Sequence, residues 1–251
     1  MLRFTCFALL LSVCIACNNA EKSSSSAKKV IDEKAKAIVD QCIEAHGGSH
    51  YQTFDVSFDF RKFKVHLKQT GAQFSYERSM TDSLNNVYHD SLTNDSFVRK
   101  RNGKPLDLSQ KDADKYREGI NSIAYFVLLP YKLSEPAVNL KYVGETTIES
   151  QNYHKIKVTF DREGGGKDYE DEFCYWINRQ THTLDYLSYA NGGPRFRKAT
   201  KRHTVGGIVF QDYENYEILD KTISTTQYDK AFLEGNSKLL SKIEQANYAA
   251  K

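Results

Sequence analysis

The chain is 251 residues long, with 40% hydrophobic and 27% charged residues, a globular balance that excludes a disordered chain. Lys and Arg total 35 against 32 Asp and Glu, for a formal charge of +3, and that near-balance removes the electrostatic case for nucleic acid. Tyr (16) and Phe (14) are plentiful while Pro (4) and Met (2) are scarce, a mixture that suits β-sheet.

Arg3 precedes an apolar run over residues 4–15, too short to span a bilayer as a helix and of the length of a secretion signal. The run closes on Cys14-Ile15-Ala16-Cys17, a small residue before a cysteine, which resembles the lipobox of bacterial lipoproteins. The resemblance implies removal of residues 1–16, acylation of Cys17, and membrane lipid as a partner through that anchor. Several acyl chains on one cysteine hold a protein to a membrane far more firmly than a single chain does. Residues 17–29 include four serines, Ser23 to Ser26, and read as a polar, flexible tether. Asn18 stands where the lipoprotein sorting rule places an Asp for inner-membrane retention, so the expected location is the outer membrane, lipid-anchored and facing the periplasm.

Residues 30–251 are expected to form a single domain. Val30, Ala37, Ile38, Cys42 and Ala45 recur at helical spacing before Gly47-Gly48, predicting a helix with a glycine cap. Val56, Phe58 and Phe60 alternate with polar residues, and the apolar positions then change phase to Phe63, Val65 and Leu67, which predicts a β-bulge at Arg61-Lys62. Strands follow at 74–79, 86–90 and 96–100, with turns at Asn94-Asp95 and Asn102-Gly103. Helical intervals over 109–129, with Pro130 just beyond, predict a second helix. Seven strands are expected after it, at 140–144, 154–160, 171–177, 183–189, 195–203, 207–218 and 221–228, and a last helix over 236–246. Strands without a βαβ rhythm exclude a doubly wound sheet and a TIM barrel.

The fold class that follows is α+β: a large curved antiparallel sheet, a half-open β-barrel, with helices covering one mouth. That order resembles the outer-membrane lipoprotein-sorting and carrier superfamily, whose members grip acyl chains between a half-barrel and its helical lid. The strings Ala45-His46-Gly47-Gly48, Ser57-Phe58-Asp59-Phe60-Arg61, Gly164-Gly165-Gly166-Lys167-Asp168, Tyr175-Trp176-Ile177-Asn178 and Arg195-Phe196-Arg197 resemble those of a Bacteroidetes lipoprotein family classed as a domain of unknown function.

Of the five cysteines, Cys42 and Cys174 remain once the leader and the acylated Cys17 are set aside, either as a disulfide pair or as small buried hydrophobes. The seven histidines are scattered singly and no CxxC occurs, so neither a metal nor a cofactor is expected. Residues 161–172 set six carboxylates around Gly164, Gly165 and Gly166. With Lys167, Asp168 and Asp171 the segment reads first as a solvated hairpin loop, the alternatives being a calcium site through its carboxylate oxygens and a contact for a ligand or partner. Arg195 and Arg197 share one strand face. A curved sheet can bring them near Arg61 and Arg78 as a cationic rim for an anionic head group, the alternative being carboxylate partners such as Asp90 and Asp185.

Cys174 and Trp176 alternate with Phe173, Tyr175 and Ile177, so this strand is apolar on both faces. It fits a sheet with a core on one side and a cavity or lid helix on the other. Trp176 and Tyr189 join the four arginines as candidate ligand contacts. No catalytic residue is assigned. The function expected is a membrane-anchored envelope lipoprotein binding a hydrophobic or amphipathic ligand, such as a lipid or acyl chain. The alternatives are a periplasmic hydrolase or lyase, and an interaction module with an envelope protein partner.

Overall fold

The computed structural model describes residues 31–166 and 169–251. Cys17, Lys167 and Asp168 therefore lie outside the described residues. Helix α1 (Glu33–His46) is capped by Asp32, whose carboxylate accepts the Ala35 N–H at 3.0 Å and the Tyr142 N–H at 2.8 Å. One side chain thus starts the helix and ties it to the sheet. Gly47 ends it at φ 151°, its N–H returned to the last turn, as its glycine predicts.

Strands β1 (Thr53–Phe60), β2 (Phe63–Thr70), β3 (Gln73–Thr81), β4 (Val87–Thr93), β5 (Phe97–Arg101) and β6 (Lys104–Pro105) form an antiparallel meander. Helix α2 (Gln110–Val127) follows, capped by Ser109. A second meander then runs through β7 (Val138–Ile148), β8 (Gln151–Phe160), β9 (Phe173–Asn178), β10 (Leu184–Tyr189), β11 (Arg195–Val205) and β12 (Ile208–Ile218). After the short helix α3 (Tyr228–Leu233), the chain ends in β13 (Ser237–Ile243) and β14 (Gln245–Ala250).

The result is two seven-stranded antiparallel sheets, ordered β14-β1-β2-β3-β4-β5-β6 and β13-β12-β11-β10-β9-β8-β7. Only Glu244 separates β13, paired to β12 in the second sheet, from β14, paired to β1 in the first. The last strand thus turns the corner between the sheets, and the whole is an open half-barrel of the expected α+β class.

Three expected elements take a different form. The last helix is instead β13 and β14: Leu239, Leu240 and Ile243 carry helical spacing, but β12 and β1 each leave an edge of backbone donors and acceptors that this segment satisfies. The phase change at Arg61-Lys62 is not a bulge but a two-residue hairpin turn, with Phe60 opposite Phe63 and Arg61 at φ 55°. The strand expected over 221–228 is a 3-10 turn (Thr225–Gln227) leading into α3. Cys42 and Cys174 are both free and buried, in separate clusters, so the hydrophobe reading of the pair holds.

Three apolar clusters divide the interior. Ile120, Ala124 and Val127 of α2 pack with Phe54, Val65 and Tyr76 of the first sheet. Ile38, Val39 and Cys42 of α1 pack on the second sheet's concave side with Ile156, Tyr175 and Leu187. Tyr228 and Ala231 of α3 cover the convex side of that sheet with Trp176, Tyr186 and Phe196.

Candidate ligand-binding site

Every side chain of β9 is buried, and its two faces meet different surroundings. On the convex face Trp176 is fully buried, edge-on to Phe196 at 5.1 Å between ring centres. Beside it Lys155 Nζ meets both oxygens of the wholly buried Asp229 of α3 at 3.2 and 3.3 Å, and lies 5.6 Å over the indole. A helix bound by a desolvated ion pair and an aromatic cluster leaves this face filled.

The concave face is filled only in part, since α1 packs with Tyr175 and Ile177 while Phe173 borders an open space. Between α2 and the sheets lies a cavity of about 1520 Å³, larger than the roughly 300–1,000 Å³ usual for a small-molecule pocket. Its inner wall is aromatic, formed by Tyr125 and Phe126 of α2, Phe160, Phe173 and Tyr189. Phe173 stands 5.8 Å from Phe160 and 5.6 Å from Tyr189, and Phe126 stands 5.7 Å from Tyr189. Behind this wall the Tyr125 and Tyr175 hydroxyls bond each other at 2.9 Å, and burial pushes both phenols well above their ordinary range, so they are neutral. The mouth is polar, with Lys111, Asp114, Lys115 and Glu118 of α2 facing the Gly164-Gly165-Gly166 loop and Asp171. Gly165 is required there, since a Cβ would stand 2.2 Å from the Asp161 carbonyl oxygen.

A second, smaller chamber of about 190 Å³ lies at the seam where the last strand changes sheets. Arg61, Arg197, Tyr213 and Gln245 line it, and Ser122 and Phe126 of α2 line both spaces. Phe126 is therefore the partition. Arg197 stacks 4.2 Å over the Phe126 ring and donates to the Tyr189 hydroxyl at 2.6 Å.

Of the sequence-selected residues, Tyr189, Gly164, Gly165, Gly166 and Asp171 thus gather at the large cavity, and Arg61 with Arg197 at the small one. Arg78, Arg195 and Trp176 line neither. Arg78 is buried and shares Asp90 with Arg99, at 2.8 and 2.9 Å, and donates to the Tyr116 carbonyl of α2 at 3.1 Å. Arg195 donates to the backbone oxygens of Pro194 and Gly192, bracing a loop at the cavity edge. Sequence reading did not single out Tyr125, Phe126, Phe160 and Phe173. Two adjacent aromatics, Tyr125 and Phe126, off the Ile120–Ala124–Val127 stripe of α2 were the available signal. Among the described residues, no group of three or more His, Cys, Asp or Glu is placed to hold a metal ion.

An open half-barrel roofed by a helix over an aromatic cavity defines the class of this protein. The chain matches, over residues 5–245, the profile of a family of unknown function (DUF6503), and it belongs to that family. No curated protein matches the chain in sequence. Similar solved structures include a LolA superfamily protein from Nitrosomonas europaea, 8% identical over 86% of this chain and 91% of that one, with a TM-score of 0.46. A domain assigned to outer membrane lipoprotein sorting from Vibrio parahaemolyticus is 6% identical over 87% and 93%, with a TM-score of 0.43. A DUF1329 family protein from Desulfovibrio piger is 10% identical over 85% and 92%, with a TM-score of 0.38.

Proposed function

We propose that the protein is an envelope lipoprotein, anchored to the outer membrane through Cys17 and facing the periplasm, that binds a hydrophobic or amphipathic ligand such as a lipid or acyl chain in the concavity of its sheets. The observation that carries this reading is the cavity of about 1520 Å³ with an aromatic inner wall and a charged mouth. Aromatic surface left in contact with solvent is released from it by an apolar ligand, which is the driving force for uptake. The charged mouth keeps a polar end of the ligand at the surface.

Native mass spectrometry of the full chain extracted from membranes tests the binding. Bound lipid that is released on activation of the complex, and that falls several-fold in Phe126→Ala/Phe173→Ala protein, is expected. Ligand-free protein that also takes up neither a fatty acid nor a solvatochromic dye would overturn the reading. The anchor is tested separately: Cys17→Ala protein should leave the detergent phase in which the parent partitions.

A further inference from the structure

We propose that the chamber of about 190 Å³ is an oxyanion site, in which Arg61 and Arg197 receive a carboxylate or phosphate group. Where that group is the head of an amphiphile, the proposal rests on the reading of the large cavity given above. Where it is a free oxyanion, it stands alone.

The case rests on what the two arginines lack. Arg78 and Arg99 share Asp90, Arg179 meets Glu145 and Arg202 meets Asp185. The chamber brings two guanidiniums to one space whose lining, among the described residues, contains no carboxylate. Arg197 donates to the Tyr189 hydroxyl, and among the described residues its buried Nε has no hydrogen-bond partner. Arg61 lies 5.4 Å over its neighbour Phe60. Two like charges beside apolar walls repel, and a buried N–H without an acceptor is costly, whereas one oxyanion between them relieves both terms through charge-assisted bonds.

The size agrees. At roughly 30 Å³ per water, the chamber has room for a head group with a few waters and not for an acyl chain. Ser122 and Phe126 border both spaces, so a chain in the large cavity can set its head in the small one past the Phe126 ring.

The test titrates the full chain, stripped of lipid, with hexadecanoate, with uncharged hexadecanol and with inorganic phosphate, for the parent and for Arg61→Gln, Arg197→Gln and the double variant. The parent should prefer hexadecanoate to hexadecanol by about tenfold or more, the double variant by less than about threefold, with hexadecanol affinity unchanged. Arg61 is exposed in a turn, so Arg61→Gln alone still reports, by a reduced preference, if Arg197→Gln does not fold. Equal binding of the two lipids to parent and variants would overturn the oxyanion site and leave the large cavity's reading intact. Phosphate binding that the double variant loses, with neither lipid bound, would support the chamber with a free oxyanion and overturn the acyl-ligand reading. No binding of any of the three would overturn both.

Discussion

The two faces of β9 are equally apolar in sequence and opposite in use. On the convex side α3 lies against Trp176, Phe196 and Tyr186, sealed by the Lys155–Asp229 pair. On the concave side α2 packs closely on the first sheet and reaches the second through Tyr125 and Phe126, with Phe173 and Tyr189 left on a cavity wall. Apolar alternation therefore marks burial, while curvature decides whether the buried face is packed or hollow. The same asymmetry runs through α2. Its Ile120–Ala124–Val127 side is fastened to the first sheet, reinforced by Arg78 reaching its backbone at Tyr116, whereas its Tyr125–Phe126 side meets Phe173 and Tyr189 of the second sheet and borders the cavity.

The comparison breaks most sharply at Trp176. Trp176→Ala empties a filled site and should destabilise the fold by about 3–5 kcal/mol, measured by urea unfolding, with ligand affinity of the folded fraction unchanged. An equal loss of affinity would mean that the convex face belongs to the binding site. Asp90→Asn should have a cost of similar order, about 3–5 kcal/mol, because it leaves two buried guanidiniums without their shared carboxylate. Unlike Trp176→Ala, it should loosen α2, read as faster amide exchange over residues 110–127.

A smaller effect is expected from acid at the α1 contact with the second sheet. His46 is wholly buried and accepts the Leu184 N–H through Nε2 at 3.0 Å, and burial lowers its pKa from 6.5 to about 4. A depressed folded-state pKa means that the unfolded chain takes up the proton first. The stabilisation is present in full above pH 6.5 and is lost as pH falls toward 4, by roughly 3 kcal/mol over the window. His46→Gln protein should show correspondingly less loss of stability between pH 7 and pH 4.5. The smallest stability effect belongs to Phe126→Ala, about 1 kcal/mol for a half-buried ring already facing a cavity. Its larger consequence is functional, because it joins the two spaces and should weaken the preference for a charged over an uncharged lipid.

Most of the fold was legible in the sequence because its strands alternate and its helices show their periodicity and ends: Gly47 closes α1, and Pro130 lies just past α2. The expected last helix failed for a non-local reason. Leu239, Leu240 and Ile243 suggest a helix locally, and only the edges of β12 and β1, brought near by the whole chain, make the segment a strand. The site was legible in part. The glycine loop and Arg197 drew attention through their own composition, while Arg78 and Trp176 were chosen for residue type and turned out to sit in ion-paired and aromatic packing. Which face of a doubly apolar strand stays hollow depends on how the sheets curve beneath α2, and no local pattern carries that.

The central claim is tested most directly by photolabelling. A diazirine-bearing fatty acid, irradiated with the full chain in detergent and mapped by peptide mass spectrometry, should mark peptides containing Tyr125, Phe126, Phe160 and Phe173. Unlabelled fatty acid should displace it. Labelling confined to the convex face, around Tyr228 to Leu233 of α3, or labelling that excess fatty acid does not displace, would contradict a ligand site in the concavity.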